Sequence, residues 1–438
     1  MNMKIKDMMP GFAAAFALVP SMAGAAPAPE PEPDQTQFVR ACDAFGAGYF
    51  YIPGTETCLR ISGFVRSEVQ GGDQVYARRR EERHRSTYAW LTRGTLRFHT
   101  ASETEWGPLR TFMELRSDWK AGAEFGSAND NTSGSLRYGY IELGGLRVGL
   151  DETIFAYWTG YYGNVMNDDV LNPANTRTNT ISYTYNAGNG FSAILGAEQG
   201  NNFDGDGNPM YIDEDNINIS MGSADHGGYR FRADGSRRFH KLSQQTHNYM
   251  PYLVGGLKYE RGWGAMSAVI GYDSYYSSWA TKLRADLNLT DKFSVFLMGG
   301  YKSEDDYYNL DTSYGTNGTR ITGYRADGTA IKRRGIYRQV NSMYGDWGGD
   351  WAAWTGATYK IRPQTSLNFQ AAYSDDRTFA TSANVSHELL PGLSLTPEVA
   401  YINWDNRYGH KYANGDEARV SLKNREALQG QLRLQRSF

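Results

Sequence analysis

The sequence predicts an all-β fold, a transmembrane antiparallel β-barrel of about sixteen strands. Three observations predict it. Apolar and polar side chains alternate with a period of two from Leu59 to the last residue. Short connections alternate with long ones. The composition is rich in Tyr and Gly, poor in Cys and polar overall, with 31 Tyr, 49 Gly and 2 Cys in 438 residues. Mean hydropathy is −0.59, and past the N-terminal segment no run approaches the ~18 apolar residues of a spanning helix. A large exported β-protein shares this composition, so the polar sets of the alternating runs decide. A soluble barrel of this size needs an apolar interior, whereas polar inner rows imply water inside. Ten residues at ~3.3 Å each, tilted ~45°, also cover the ~25 Å apolar band of an outer membrane.

Residues 1–25 read as a secretory signal. Lys4 and Lys6 form the basic start, an apolar run follows, and Ala23-Gly24-Ala25 supplies an A-x-A cleavage site. Residues 26–41 begin with APAPEPEPD, a Pro-rich extended linker. Residues 42–58 are bounded by Cys42 and Cys58. Export to an oxidising compartment favours a disulfide between them, and closing that loop stabilises by about 3 kcal/mol in the chain-entropy model. The other reading is two buried thiols. Two Cys with no nearby His make no zinc site, so no metal and no cofactor is expected.

The barrel is read over 59–438. Leu59, Ile61, Gly63 and Val65 alternate with Arg60, Ser62 and Arg66. Trp90, Gly94, Leu96 and Phe98 then alternate with Arg93, Arg97 and His99, and Leu109, Thr111, Met113 and Leu115 with Arg110, Glu114 and Arg116. Weaker runs follow at 136–143 and 146–150. Paired runs at 181–197, 253–272, 283–301, 351–373 and 378–403, with a last run at 427–438, complete about sixteen strands. The longest connections are 199–248 and 303–350. Short turns at one end and long loops at the other are the outer-membrane pattern.

The segment 151–178 breaks the period. It carries Asp151 and Glu152 at one end and Asp168 and Asp169 near the other, with Phe155, Tyr157, Trp158, Tyr161 and Tyr162 between. Its residues alone are compatible with a loop folded into the barrel mouth or with a packed surface loop. The final strand ends in Phe438, with Leu428, Leu432 and Leu434 on one face and Arg436 interrupting it. A terminal aromatic on such a strand resembles the signal read by the barrel-assembly machinery.

With these residues in view the chain resembles the general porins of the alphaproteobacteria. The specific match is 42–63, CDAFGAGYFYIPGTETCLRISG, supported by IELGGLRVGL at 141–150 and by the Phe438 terminus. The resemblance covers nearly all of the chain after the signal. It implies a sixteen-stranded outer-membrane barrel, a homotrimer, and passive diffusion of small hydrophilic solutes. It also implies that the loop after the fifth strand, 151–178 by strand count, folds inward.

An inward loop would place Asp151, Glu152, Asp168 and Asp169 on one wall of a constriction. Arg60, Arg66, Arg93, Arg97, Arg110 and Arg116, on polar faces of the first three strands, are candidates for the opposite wall. The transverse field would be modest. Two unit charges ~8 Å apart in water interact by ~0.5 kcal/mol, and physiological salt screens over a similar distance. Size sieving with weak ion preference is the expectation. The loop aromatics read as packing more than as a sugar slide, and outward Trp90, Tyr183 and Tyr359 as interfacial girdles.

Other signals are weak. The run 204–215, DGDGNPMYIDED, resembles a calcium loop but lacks its sixth-position Gly and twelfth-position Glu. The loops 230–238 and 325–334 share an RADG core followed by basic residues, suited to anionic lipopolysaccharide or simply solvated. H-E-L-L-P at 387–391 fails the metalloprotease pattern, and no G-x-S-x-G occurs, so no catalytic residue is assigned. A net charge of −3 argues against a nucleic-acid binder. A substrate-selective sugar or phosphate channel shares every one of these features, and a barrel enzyme such as a phospholipase is a more distant alternative.

Overall fold

The computed structural model describes residues 40–76, 87–122, 130–160, 163–168, 170–173, 177–200, 227–231, 237–241, 249–274, 277–303, 307–310, 319–339, 343–404, 409–411, 414–420 and 426–438. Sixteen strands form a closed antiparallel barrel. The first eight are β1 Cys58–Gly72, β2 Thr87–Ser102, β3 Leu109–Gly122, β4 Asp130–Leu143, β5 Leu146–Glu152, β6 Arg177–Asn186, β7 Phe191–Glu198 and β8 Tyr252–Arg261. The rest are β9 Gly264–Asp273, β10 Ser278–Thr290, β11 Phe293–Lys302, β12 Trp351–Arg362, β13 Thr365–Ser374, β14 Phe379–Leu390, β15 Leu393–Asn403 and β16 Glu426–Ser437. Each pairs with its sequence neighbour, and β16 closes on β1 through Phe64↔Ser437 to Gly72↔Gln429. No strand edge of the barrel is left open. Among the described residues no helix is long and apolar enough to cross a membrane.

The period-two alternation sorts side chains by face. Met266, Leu283 and Leu297 point outward and are 57%, 62% and 57% exposed, which only a lipid or subunit contact makes tolerable. Trp279 stacks on Tyr301 and Trp351 on Tyr373 at the long-loop end, and Phe293 meets Tyr359 at the short-turn end. These pairs form two girdles bounding the apolar band. Turns at the short end are tight. At the β8–β9 turn Gly264 has φ +143°, and a Cβ there would lie 1.9 Å from the Asp286 carbonyl oxygen, so only glycine fits.

Cys42 and Cys58 are joined by a disulfide and buried, which pins the segment before β1 to its first residue. The short strand Phe50–Tyr51 pairs with Cys58 and Leu59. Phe438 continues the β16 ladder, exchanging both backbone hydrogen bonds with Gly63. Arg436, the break in the terminal apolar face, donates to the Pro391 carbonyl at the β14–β15 turn.

Two features differ from the sequence reading. The β4 strand begins at Asp130, earlier than the run at 136–143, because bulges between Glu114/Leu115 and Arg116/Asp118 on β3 interrupt the alternation that marks it. The long connections are also not featureless. Strands Gly227–Phe231, Arg237–Lys241, Tyr307–Leu310, Thr319–Tyr324, Ala330–Gln339, Gly409–Lys411 and Glu417–Val420 form a second sheet. The 325–334 segment is the turn and the start of the second strand of the hairpin made by Thr319–Tyr324 and Ala330–Gln339, with Arg325 paired to Asp416 and Arg333 to Glu417. The calcium-like run at 204–215 lies outside the described residues, as do the signal and most of the linker.

Candidate pore constriction

The segment between β5 and β6 enters the barrel. Asp151 and Glu152 still belong to β5, in register with Thr178 and Arg177 of β6, so the strand pair extends two residues further than the loop boundaries 151–178 allow. Thr153 then caps a four-residue helix, Ile154–Tyr157, by accepting from the Phe155 amide. Ile154, Phe155, Ala156 and Trp158 are buried. Glycines on the wall make room for them. A Cβ at Gly196 would lie 2.3 Å from Ile154, and one at Gly256 2.4 Å from the Trp158 ring. Ile154 and Trp158 therefore pack the insert against β7 and β8, while Tyr161 and Tyr162 lie outside the described residues.

Beyond Trp158 the segment reaches the far wall. The Asn164 carbonyl accepts from Asn384 at 2.8 Å and the Asn167 carbonyl from Ser382 at 3.1 Å. The Asp168 carbonyl accepts from Gln370 and the Leu171 carbonyl from the Trp354 ring N–H. The strongest anchor is Glu398 of β15, which is 3% exposed. Its carboxylate accepts from the Met166 and Asn167 amides, the Asn167 side chain and Asn384. These partners sit on inner faces of β12–β15, so the described residues 153–160, 163–168 and 170–173 lie inside the barrel along the β7–β15 wall. The loop thus occupies part of the barrel interior, while the β1–β5 wall keeps its charged rows.

The wall from β16 to β5 carries more than the arginines singled out in the sequence. Arg93 bonds Asp118 through two nitrogens, each at 2.7 Å. Arg97 and Arg116 share Glu114, at 2.7 and 3.2 Å. Arg66 and Arg433 share Glu68. Three carboxylates thus serve five guanidinium groups, leaving the wall with surplus positive charge. The groups are close enough to act on one another: Arg433, Arg93 and Arg116 on Arg66, and Arg137 on both Arg116 and Arg177. Arg60 lies nearer the short-turn end, over the Tyr49 ring and beside His99. Arg110 is exposed at the start of β3.

The acidic candidates separate. Asp151 is buried and paired with Arg147, which also binds Glu142 at 3.0 Å. Glu152 is buried as well, in the fields of Arg137, Lys282 and Asp168. Asp168 lies on the loop and is partly exposed, and Asp169 falls outside the described residues. Arg137, Arg147, Arg177, Arg433, Glu68, Asp118 and Glu398 were not singled out in the sequence. For Glu68 and Asp118 the signal was present, since they occupy the same inward parity as Arg66 and Arg116. For Glu398 nothing in the sequence distinguishes it from any inward Glu.

A closed barrel with lipid-facing girdles, a charged inner wall and one loop folded across its interior defines an outer-membrane channel. A family model described as Porin subfamily matches residues 26–431, and the chain belongs to that family of outer-membrane porins. It is 40% identical over 439 residues to Porin Omp2b of Brucella suis and 39% identical over 440 residues to Porin Omp2b of Brucella abortus, with all of each chain covered. The outer membrane channel DcaP of Acinetobacter baumannii shares the fold, with a TM-score of 0.52 at 14% identity over 89% of this chain and 99% of that one.

Proposed function

We propose that this porin is a size-sieving channel for small hydrophilic solutes and ions, with its bore set between the 153–176 segment and the guanidinium stripe of β1–β3. The observation that carries this reading is the Glu398 anchor, which holds the middle of the loop on the inner face of β15, two strands from β1, where Asn167 reaches Gln431 and Gln431 reaches the Glu68 that serves Arg66. In it Arg66, Arg93, Arg97 and Arg116 form the basic side and Asp168 with Asp169 the acidic side. Asp151 and Glu152 act behind the loop by holding its root, and Arg60 and Arg110 act at the short-turn vestibule. Because three carboxylates offset part of the charge of the five arginines on this wall and salt screens the rest, the net field is weak and size dominates.

The test is planar-bilayer conductance with competing solutes. A diffusion channel shows no solute-specific block, and loses conductance only to polymers small enough to enter. Block by one sugar or by phosphate at low concentration would replace this reading with a selective channel.

A homotrimer fits the barrel's outer surface. The outward rows of β1–β3 mix small residues, Gly63, Ser67, Gly94 and Ser117, with exposed Ile61, Val65, Leu96 and Met113. Small residues between apolar ones allow the close approach a neighbouring subunit needs. Native mass measurement in detergent reads the subunit number directly, and a monomer would refute it. Lipopolysaccharide against the basic hairpin 325–334, Phe438 as an assembly signal and a cleaved signal at 1–25 complete the proposed biology.

A further inference from the structure

A second segment folds into the barrel beside the constriction loop. It belongs to the connection between β11 and β12, the same connection that supplies the central hairpin of the outer sheet. Met343, Tyr344 and Trp347 are each 1% exposed, though they stand in a loop. Tyr344 lies on Gly271 of β9, where a Cβ would come within 2.8 Å of its ring. Trp347 lies on Gly300 of β11 in the same way and meets Trp354 edge-on at 5.4 Å. The Trp347 carbonyl accepts from Lys302, whose ammonium is itself buried. Two glycines and a buried lysine of the wall strands therefore make a seat for this segment.

The seated segment touches both ends of the constriction loop. At the root, the Tyr344 ring packs 5.1 Å from Phe155. Its hydroxyl donates to Glu198 Oε2 at 2.7 Å. The same carboxylate accepts from Thr153 Oγ1 at 2.8 Å and, through Oε1, from the Ile154 amide at 2.7 Å. Glu198 is thus a node joining the wall, the first turn of the loop and the second segment. At the far end Asn172 donates to Asp346 at 3.2 Å. The constriction loop is clamped at its start and near its finish by five consecutive residues, 343–347.

We propose that Tyr344 is a positioning residue of the constriction: through Glu198 and Phe155 it fixes where the 153–176 loop stands, and so makes the bore depend on an outer loop. This rests on the reading that 153–176 sets the bore. The Tyr344 hydroxyl contributes one hydrogen bond to a shared carboxyl, and losing such a bond shifts a local equilibrium about tenfold. Loss of that bond leaves the girdles, the ladders and the disulfide untouched, so assembly is not its target.

The experiment compares single-channel records of Tyr344→Phe and of Asn172→Ala with those of the unaltered protein, using only barrels that show normal heat-modifiable mobility. The expected result is about tenfold more frequent excursions to substates for Tyr344→Phe, a smaller rise for Asn172→Ala, and the same assembled yield. A residue that merely packs would lower the yield and leave the surviving channels quiet. Quiet channels with unchanged substate frequency in both variants overturn the proposal. Glu398→Ala separates the two readings. If it alters conductance while both variants stay quiet, only the positioning role falls. If all three leave the records unchanged, the constriction reading falls with it.

Discussion

Replacing Glu398 by Ala should unseat the middle of the constriction loop. The carboxylate accepts four hydrogen bonds: the Met166 amide, the Asn167 amide at 2.6 Å, the Asn167 side chain at 3.0 Å and Asn384 at 2.9 Å. Asn384 has a second acceptor in the Asn164 carbonyl, and the Asn167 side chain a second one in Gln431. The two loop amides have no such alternative in the seated position. Leaving a buried donor unsatisfied costs about 1–3 kcal/mol, so the two together cost about 2–6 kcal/mol of seating free energy. A loss of about 3 kcal/mol raises the unseated population about 150-fold. The barrel ladders do not involve this side chain, so the protein should still assemble. Planar-bilayer recordings read the effect as a larger and noisier unitary conductance, and liposome swelling as entry of bulkier sugars. A channel with normal conductance and normal exclusion would show that the loop is held elsewhere or does not set the bore.

Four further outcomes follow from the same geometry. Changing Asp168 and Asp169 together to Asn should shift the zero-current potential in a salt gradient toward anion preference without altering assembly, and an unshifted potential removes both from the constriction. Changing Arg97 and Arg116 to Ala strands Glu114, which is 2% exposed, and should cost about 3–5 kcal/mol of stability. Adding Glu114→Gln should recover most of the lost thermal midpoint, and failure to do so argues against the shared pairing. Changing Cys42 and Cys58 to Ser should lower unfolding free energy by about 3 kcal/mol, measured by denaturant titration in detergent, with conductance unaffected. At the outer hairpin slight burial opposes ionisation of Asp416, but the Lys332 amide and Arg325 outweigh it and hold the carboxyl below its ordinary value. A depressed folded value means the contact stabilises above the unfolded pKa and is lost as pH falls through the folded one. Proteolysis at 325–334 should therefore speed up only below about pH 4, and Asp416→Asn should abolish that dependence.

The barrel was legible because its physics is written at every second residue. Rows such as Leu283, Ala285 and Leu287 against Lys282, Arg284 and Asp286 allow only a strand with one wet and one greasy face. Closure, strand number and the alternation of turn lengths follow from counting such rows. The loop after the fifth strand was legible as an interruption, and its entry into the barrel only through resemblance. Where it lands was not legible. Its seating depends on Glu398, Asn384 and Gln370, more than two hundred positions away, and on glycines at 196 and 256 whose value lies in the side chain they lack. The acids at 151 and 152 look like loop residues because the period fades there, yet pairing with Arg177 and Thr178 carries the strands past them. Salt-bridge partners across β1–β3 were half visible. Parity placed the charges on one face, but which carboxylate serves which arginine depends on register, and register is invisible in one strand read alone.

The central claim is that water fills the barrel and that one inward loop narrows it. A cysteine at Asn164, an exposed loop position bonded to Thr358 of the far wall, tests it most directly. The native cysteines are locked in their disulfide, so a charged, water-soluble thiol reagent labels this site alone. The account predicts labelling from the aqueous side with a stepwise fall in unitary conductance. Complete labelling that leaves the current unchanged would contradict it.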